Sequence, residues 1–434
     1  MSYKTTIHWF KTWAVLAALL LAACSPALDQ PTAEAPAPEI PDTPVPLPNE
    51  TETPQATATD IAPATQTPVP VTPEEGAEPG DAGEETNGPD PLCQRVPRPA
   101  LLLIDRGDYF ITNFVSDDTC QFDFPGELPG LIQSGGEALY YHEMDFTTQS
   151  AVVMRLALDG TARALSFTET GPPDQFLHFV VSPDGQRIAW STSRAEEFGD
   201  PVSDLWLAGT DGDGQIQLLS GWPAAENRFV IPLRFSTDGE TLYFSLQPIG
   251  VGGSWVSFNG RYDSLYAIPT SGGQPVEIFQ CPAGSLLCIG DFSGDGEALK
   301  IAYTDSAAKT IHVLAAGGEQ INQFSFPEAD YLGYPSFGPG GELAFYVATI
   351  GEHPDGYPIP QPGTIYLVPP PYEGQPQPVK SDDSIATLIG WLDPEWLVYN
   401  SIDPGGNWGT VVTNFSGEAM IWGPGPTQFV TILR

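Results

Sequence analysis

The sequence predicts an all-β fold, a β-propeller of four-stranded blades preceded by a disordered tether. The first observation is a hairpin pattern that recurs along the chain, with marker glycines spaced 45 to 57 residues apart. The second is a weaker hairpin after each copy, which brings every repeat to four strands. Four strands in a period of this length are typical of a propeller blade, and unpaired strands left at both ends of the array predict a closed ring.

The clearest copy is Phe179–Ser193, with the sequence FVVSPDGQRIAWSTS. Asp184 and Gly185 lie between an apolar run and a run that alternates inward and outward side chains. Both residues tolerate positive φ, so the pair favours a tight turn between two antiparallel strands. Because an isolated hairpin buries too little surface to be stable in water, this segment requires neighbouring copies.

The rest of the chain supplies these copies. The same strand, turn and strand pattern returns in five segments: Leu131–Asp145, Leu233–Gln247, Gly290–Asp305, Pro335–Ile350 and Ile389–Ser401. The weaker hairpins that follow the six copies are Val152–Ser166, Asp204–Leu219, Ser264–Phe279, Thr310–Phe324, Thr364–Val379 and Trp408–Ile421. Six full repeats are therefore expected.

Two of the turns resemble a known repeat. SPDGQRIAW at Ser182–Trp190 and STDGETLYF at Ser236–Phe244 resemble the repeat of the TolB-like, WD40-like (PD40) β-propeller family. The other copies depart from it at the turn, as with Gly-Asp-Gly at Gly294–Gly296. The resemblance covers about residues 100–434 and implies the fold. It implies no particular activity, because the repeat residues build turns and blade cores.

Strands outside the repeats predict how the ring closes. Three short strands precede the array, at Ala100–Ile104, Tyr109–Val115 and Thr119–Phe124, and one follows it, at Thr427–Leu433. Three strands and one strand make a blade that joins the two ends of the chain and removes exposed sheet edges. We expect seven blades, with six as the alternative if the early strands only pad the ring.

Residues 1–24 are typical of a signal peptide. Two lysines precede an apolar core at 13–23, which is too short to span a bilayer. Leu-Ala-Ala-Cys at 21–24 resembles the bacterial lipoprotein signal, in which the cysteine is lipidated. We expect lipidation at Cys24 and an extracytoplasmic protein attached to a bacterial cell membrane by its lipid anchor alone. The alternative is an ordinary signal peptide whose cysteine is incidental.

Residues 25–92 have the composition of a linker. They contain 16 Pro and 14 Asp or Glu, with no Lys, Arg or aromatic residue. Such a segment cannot bury enough apolar surface to fold, so we expect a disordered tether between the anchor and the propeller at 93–434.

The charge balance excludes one class of partner. The chain carries 16 Lys or Arg against 55 Asp or Glu, a formal net charge of −39. Binding to phosphate backbones requires clustered basic side chains, so nucleic acid is excluded. The surface of an exported soluble domain is enough to explain the charge, while a cationic partner stays open.

Four cysteines follow Cys24, at Cys93, Cys120, Cys281 and Cys288. An even number in an exported protein favours disulfides. Of the three possible pairings, we favour Cys93–Cys120 and Cys281–Cys288, since each closes a loop within one neighbourhood.

Catalytic motifs are not recognisable, and no cofactor is expected. The chain has no GxSxG, HExxH or Gly-Lys phosphate loop, and His178 and His312 lie in apolar strands, where we expect core residues. Asp291, Ser293 and Asp295 mimic the first half of a calcium loop, but Ala302 stands where its last acidic ligand belongs.

Long connections indicate the binding face. Three connections are longer than the matching connections of other blades: Thr192–Ser203, Pro248–Asp263 and Gly351–Gly363. Long loops on a rigid scaffold often carry binding residues. The candidate ligand-binding residues are Trp255, Phe258, Arg261, Tyr262, His353 and Tyr357. The alternative is that these side chains fold back and cover blade edges.

These observations favour a non-enzymatic binding or scaffold module. Its expected partner is a protein, peptide or glycan of the cell envelope, and the chain is expected to be a monomer. The alternative is a carbohydrate-active enzyme, because Ser401–Trp408 resembles the Asp box of sialidase-like propellers. Such an enzyme would also need two carboxylates facing one pocket.

Overall fold

The computed structural model describes a defined part of the chain. The described residues are 93, 95–105, 108–114, 116–122, 132–172, 176–194, 201–223, 228–248, 260–285, 287–352, 358–359, 362–402, 408–416, 419–422 and 428–433. The predicted signal peptide, Cys24 and the tether lie outside them. Within this part of the chain, no helix combines the length and apolar character needed to cross a membrane.

The described residues form thirty strands in chain order. The first three are β1 (Ala100–Asp105), β2 (Asp108–Asn113) and β3 (Asp118–Phe122). Blade 1 consists of β4 (Ile132–Gly135), β5 (Ala138–Asp145), β6 (Ser150–Ala157) and β7 (Ala162–Ala164). Blade 2 consists of β8 (Phe176–Val181), β9 (Arg187–Arg194), β10 (Val202–Gly209) and β11 (Ile216–Pro223). Blade 3 consists of β12 (Arg228–Phe235), β13 (Thr241–Pro248), β14 (Ser264–Pro269) and β15 (Val276–Gln280).

The second half of the chain continues the pattern. Blade 4 consists of β16 (Ile289–Ser293), β17 (Lys300–Asp305), β18 (Thr310–Ala315) and β19 (Gln320–Ser325). Blade 5 consists of β20 (Tyr331–Phe337) and β21 (Leu343–Ala348), then the small hairpin β22 (Gly351–Glu352) and β23 (Pro358–Ile359), then β24 (Gly363–Val368) and β25 (Gln377–Asp382). Blade 6 consists of β26 (Ile385–Trp391), β27 (Trp396–Ile402), β28 (Trp408–Asn414) and β29 (Ala419–Trp422), and β30 (Gln428–Leu433) is last.

The seventh blade joins the two ends of the described chain. Its strand order is β3-β2-β1-β30, and the last strand pairs antiparallel with the first, with Leu101 opposite Ile432. In the closing blade, β30 holds the innermost position, which the first strand holds in the other blades. Innermost strands of adjacent blades contact one another, as β30 contacts β4 and β16 contacts β20, so they surround a central channel. The predicted closure and the prediction of seven blades are confirmed.

The core lies between the blades. On β8, Phe179 and Val181 pack with Tyr140 of blade 1, whereas Val180 packs with Val230 of blade 3. Successive side chains of a strand point to opposite faces, so a strand buried between two neighbours must be apolar at every position. This explains the uninterrupted apolar run of the sequence at 179–181.

The Ser-Pro-Asp-Gly turn is held by its own side chains. Ser182 Oγ donates to Asp184 Oδ1 at 2.5 Å, and the same carboxylate accepts from the backbone N–H of Gln186 at 3.0 Å. These hydrogen bonds lower the pKa of Asp184, with the one from Ser182 contributing most. Gly185 has φ +71°, and a Cβ there would meet the carbonyl oxygen of Gly135 in blade 1 at 2.6 Å. The turn therefore requires glycine and also fixes the contact between two blades.

Both favoured disulfides are present. Cys93–Cys120 connects the start of the described chain to β3, and Cys281–Cys288 connects the end of β15 to the start of β16. Their Cα–Cα distances are 5.3 and 5.7 Å, within the usual range. The first bridge fastens the closing blade, and the second fastens the step from blade 3 to blade 4.

Candidate functional site

Antiparallel blades give the ring two different faces. The turns from first to second strand, such as 182–186, and from third to fourth strand, such as 210–215, lie on one side, named the turn face. Connections from second to third strand, such as 349–362, and connections between blades lie on the other side, named the loop face. The channel runs between the two faces.

Four of the predicted ligand-binding residues lie outside the described residues, namely Trp255, Phe258, His353 and Tyr357. Residues 403–407 of the segment that resembles an Asp box also lie outside them. The structure therefore describes two of the six predicted residues, Arg261 and Tyr262.

Tyr262 joins two blades. Its backbone N–H donates to the carbonyl of Ile289 at 3.0 Å, and the Ile289 N–H donates back to Tyr262 at the same distance. Its ring packs edge to face on Phe292, with centroids 6.3 Å apart, and burial raises the pKa of its hydroxyl. Through these contacts, Tyr262 helps to pack blade 3 on blade 4.

Arg261 extends into the channel. Its backbone N–H donates to Ile289, the first residue of β16, at the loop-face end of that strand. Its guanidinium donates to the carbonyl of Ile389, which lies near the turn-face end of β26. The side chain thus runs along the channel axis and lines a cavity of about 490 Å³ together with Val181, Leu233 and Ile389.

The predicted calcium residues take part in contacts between blades. Asp291 accepts hydrogen bonds from its neighbour Phe292 and, in blade 5, from the Phe337 backbone at 2.9 Å and from Ser336 Oγ at 3.2 Å. Asp295 accepts from the backbone of Thr237 in blade 3 at 2.8 Å. Among the described residues, no three His, Cys, Asp or Glu side chains are grouped to hold a metal ion.

A cavity of about 880 Å³ lies on the loop face between blades 4 and 5. We name it the loop-face cavity. It is bounded by the connection that leaves β19, the end of β21, the start of β24 and the end of β25. Its lining residues are Ser325, Phe326, Pro327, Glu328, Ala329, Val347, Ala348, Thr349, Pro362, Gly363, Thr364, Tyr366, Ser381, Asp382 and Asp383.

The wall of this cavity is aromatic. Phe326 and Tyr366 line it with ring centroids 5.2 Å apart, and both rings rest on Phe345, at 5.5 and 5.9 Å. Phe345 is fully buried, so the two lining rings are supported from behind. Such a wall offers apolar area without the entropic cost of ordering flexible side chains on binding.

The rim is acidic. Glu328, Asp382 and Asp383 line the cavity, and the Asp382 carboxylate lies 3.8 Å from Lys380 Nζ while it accepts hydrogen bonds from Ser384. Lys309 Nζ donates to the carbonyl of Pro327, another lining residue, at 3.0 Å. The rim therefore combines three carboxylates with two peripheral lysines and favours a cationic group.

Sequence reasoning missed these lining residues. It identified the connection at 351–363 that borders the cavity, but not Phe326, Tyr366 or the Asp382–Asp383 pair. The available signal was the break in the blade pattern after β19, where Phe-Pro-Glu leads into the next blade.

No family model matches this chain, and no curated protein matches it. Among solved structures, one similar chain comes from a study of two prolyl endopeptidases, with 12% identity over 80% of this chain and a TM-score of 0.51. The match covers 53% of that chain, so this chain spans about half of its length.

Two further structures have lower TM-scores. The β-propeller domain of the Trilobed protease from Pyrococcus furiosus is 12% identical over 68% of this chain and 84% of its own, with a TM-score of 0.42. A TolB from Agrobacterium tumefaciens is 13% identical over 75% of this chain and 88% of its own, with a TM-score of 0.36. The match to the prolyl endopeptidase chain shows the fold alone. The protein is a seven-bladed β-propeller with a closed ring, and its loop face carries a cavity with an aromatic wall and an acidic rim.

Proposed function

We propose that this protein is a binding module of the bacterial cell envelope, anchored by lipid at Cys24, whose loop-face cavity receives a basic segment of an exported protein or peptide. The observation that carries the proposal is the cavity itself, in which Phe326 and Tyr366 form one wall and three carboxylates form the rim. A rigid propeller that presents this cavity beside its long connection suits recognition.

Charge complementarity selects a peptide over a glycan as the occupant. A Lys or Arg side chain can place its ammonium or guanidinium at Asp382 and Asp383 while its aliphatic stem lies against the aromatic wall. The folded part of the chain carries 41 Asp or Glu against 14 Lys or Arg, so basic partners are also attracted at long range.

A peptide array tests the ligand class. The full-length protein is applied to short peptides that share their aromatic content and differ in being basic, neutral or acidic. We expect basic peptides to bind and the triple variant Glu328→Gln, Asp382→Asn, Asp383→Asn to weaken them on the order of tenfold, as three partly exposed charge contacts are lost.

The matched control is the triple variant Glu137→Gln, Glu240→Gln, Glu395→Gln, which removes three carboxylates from first-to-second-strand turns on the turn face. It should bind the basic peptides as the unmodified protein does. If the control variant also bound the basic peptides more weakly to the same degree, the effect would come from net charge and not from the loop-face cavity. Selective binding of oligosaccharides, or their hydrolysis, would replace the proposal with the carbohydrate alternative.

The anchor is tested by localisation. We expect the mature protein to sediment with membranes and Cys24→Ala to release it, since acyl chains contribute about 0.8 kcal/mol per buried CH₂. Immunoblots of membrane and soluble fractions measure this. A Cys24→Ala protein that stays with washed membranes would show that another segment holds it there.

A further inference from the structure

The turn-face end of the channel gathers basic side chains. The folded part of the chain has 14 Lys or Arg in total, yet three of them, Arg187, Arg234 and Arg261, line two cavities at this end. Each cavity has a volume of about 490 Å³, and Val181 and Pro183 line both, so the two are adjacent. Basic groups are therefore concentrated in two adjacent cavities of a strongly acidic protein.

All three guanidinium groups donate to main-chain carbonyls. Arg187 donates to Gly239 at 2.6 Å, Arg234 donates to Gly294 at 2.8 Å, and Arg261 donates to Ile389. None of these three arginines is in the ion pairs found among the described residues. Those pairs are Arg194 with Asp204, Arg228 with Asp263, and Lys380 with Asp382. A guanidinium has five N–H donors, so one hydrogen bond to a carbonyl leaves most of its capacity unused.

Aromatic rings hold two of these arginines in place. The Arg234 guanidinium carbon lies 4.1 Å from the centroid of the Phe292 ring, and that of Arg187 lies 5.2 Å from the centroid of Phe235. The Nε of Arg234 is buried and has no hydrogen-bond partner. The aromatic rings thus fix the positions of two of the guanidinium groups that line these cavities.

The carboxylates at this end are already engaged. Asp184 lines the cavity of Arg187, but its Oδ1 accepts from Ser182 and Gln186. Asp238 has the same arrangement with Ser236 and Glu240. Both belong to turns at the rim, so they lower the affinity for an anion without blocking the guanidinium groups.

We infer that the turn-face end of the channel is a binding site for a small molecule bearing a carboxylate or phosphate group. The site extends over the two adjacent cavities, and its principal ligands are Arg261, which lines one, and Arg234, which lines the other. A planar guanidinium binds either group through two parallel hydrogen bonds. Val181, Leu233 and Ile389 offer apolar contact to the rest of the molecule. The site lies toward the opposite face from the loop-face cavity and does not depend on the proposed peptide recognition.

Calorimetric titration of the full-length protein at low ionic strength tests this inference, with inorganic phosphate in one arm and succinate in the other. We expect saturable binding in at least one arm. Arg261→Gln and Arg234→Gln should each weaken it at least about tenfold, the loss expected for a charge-assisted hydrogen-bonded pair. The arm with the tighter binding identifies the anionic group.

Arg194→Gln is the control, because this arginine is paired with Asp204 at a distance from the channel, and it should bind as the unmodified protein does. If Arg261→Gln unfolds on loss of its bond to Ile389, Arg234→Gln gives the answer by itself. Lack of saturation at millimolar anion in both arms, or equal affinity of the Arg234 and Arg194 variants, would overturn the site.

Discussion

Removal of residues 428–434 should abolish the stable ring. These residues contain β30, which pairs with β1, and their loss exposes the edge of β1 at Leu101–Leu103. Ile432 packs on the apolar cluster of Leu101 and Leu103, and its carbonyl accepts from Ser134 Oγ of blade 1 at 2.8 Å. We expect a loss on the order of 5 kcal/mol in the free energy of unfolding, enough to unfold a marginal domain.

Chemical denaturation followed by circular dichroism measures this loss, and size-exclusion chromatography reports aggregation through the exposed edge. A chain lacking Arg434 alone is the control and should match the full-length protein, because Arg434 follows the last strand. An unfolding midpoint that stays the same without β30 would mean that the ring does not depend on this closure.

The second large effect is a loss of stability in mild acid through His178. This residue lies on β8, with its ring centroid 6.4 Å from that of Phe229, and burial lowers its pKa from 6.5 to about 4, with a smaller repulsion from His142. In the unfolded chain the imidazole keeps a pKa of about 6.5. The folded state therefore disfavours the protonated form.

The direction of the effect follows from proton uptake. Above pH 6.5 the imidazole is neutral in both states and contributes nothing. Between pH 6.5 and about 4 the unfolded chain binds a proton that the folded chain does not, so stability falls as pH falls, by about 3 kcal/mol at the lower limit. His178→Gln should remove this contribution to the difference between unfolding free energies measured at neutral and acidic pH, and leave that of His142, whose pKa is also lowered by burial.

His312→Gln is the matched control. This histidine stacks on Tyr303 at 4.6 Å, and its Nδ1 lies 3.1 Å from Gln320 Oε1. The control measures how much stability is lost at each pH when a histidine side chain of a strand is replaced by glutamine. If His178→Gln loses as much stability in acid as the unmodified protein, the imidazole is not the group responsible.

His178 and His312 show which properties of a buried side chain can be predicted from sequence and which cannot. Apolar neighbours in a strand predict burial for both His178 and His312, and both are partly buried. Alternation cannot tell which neighbouring blade each ring meets. His178 faces Phe229 of blade 3, whereas His312 stacks on Tyr303 of its own blade. The difference in environment comes from contacts between blades.

The local features of this protein follow from its sequence. Asp184 and Gly185 specify a turn by hydrogen bonding and positive φ. The alternation expected in the run after this turn is wrong, because β9 lies between neighbouring blades and is buried at every position from 188 to 193. The unpaired strands at the two ends specify the closure, because edges left open would be unfavourable. The spacing of the cysteines favours the two disulfides that the structure contains.

Tertiary structure alone decided where the cavities lie. Phe326, Tyr366 and Asp382 are far apart in sequence and meet only because blades 4 and 5 pack side by side. Arg261 belongs by sequence to a loop-face connection, yet its long side chain extends down the channel to Ile389. Turns and strands depend on interactions between near neighbours, whereas the direction of a flexible side chain and the shape of a cavity depend on the packing of distant segments.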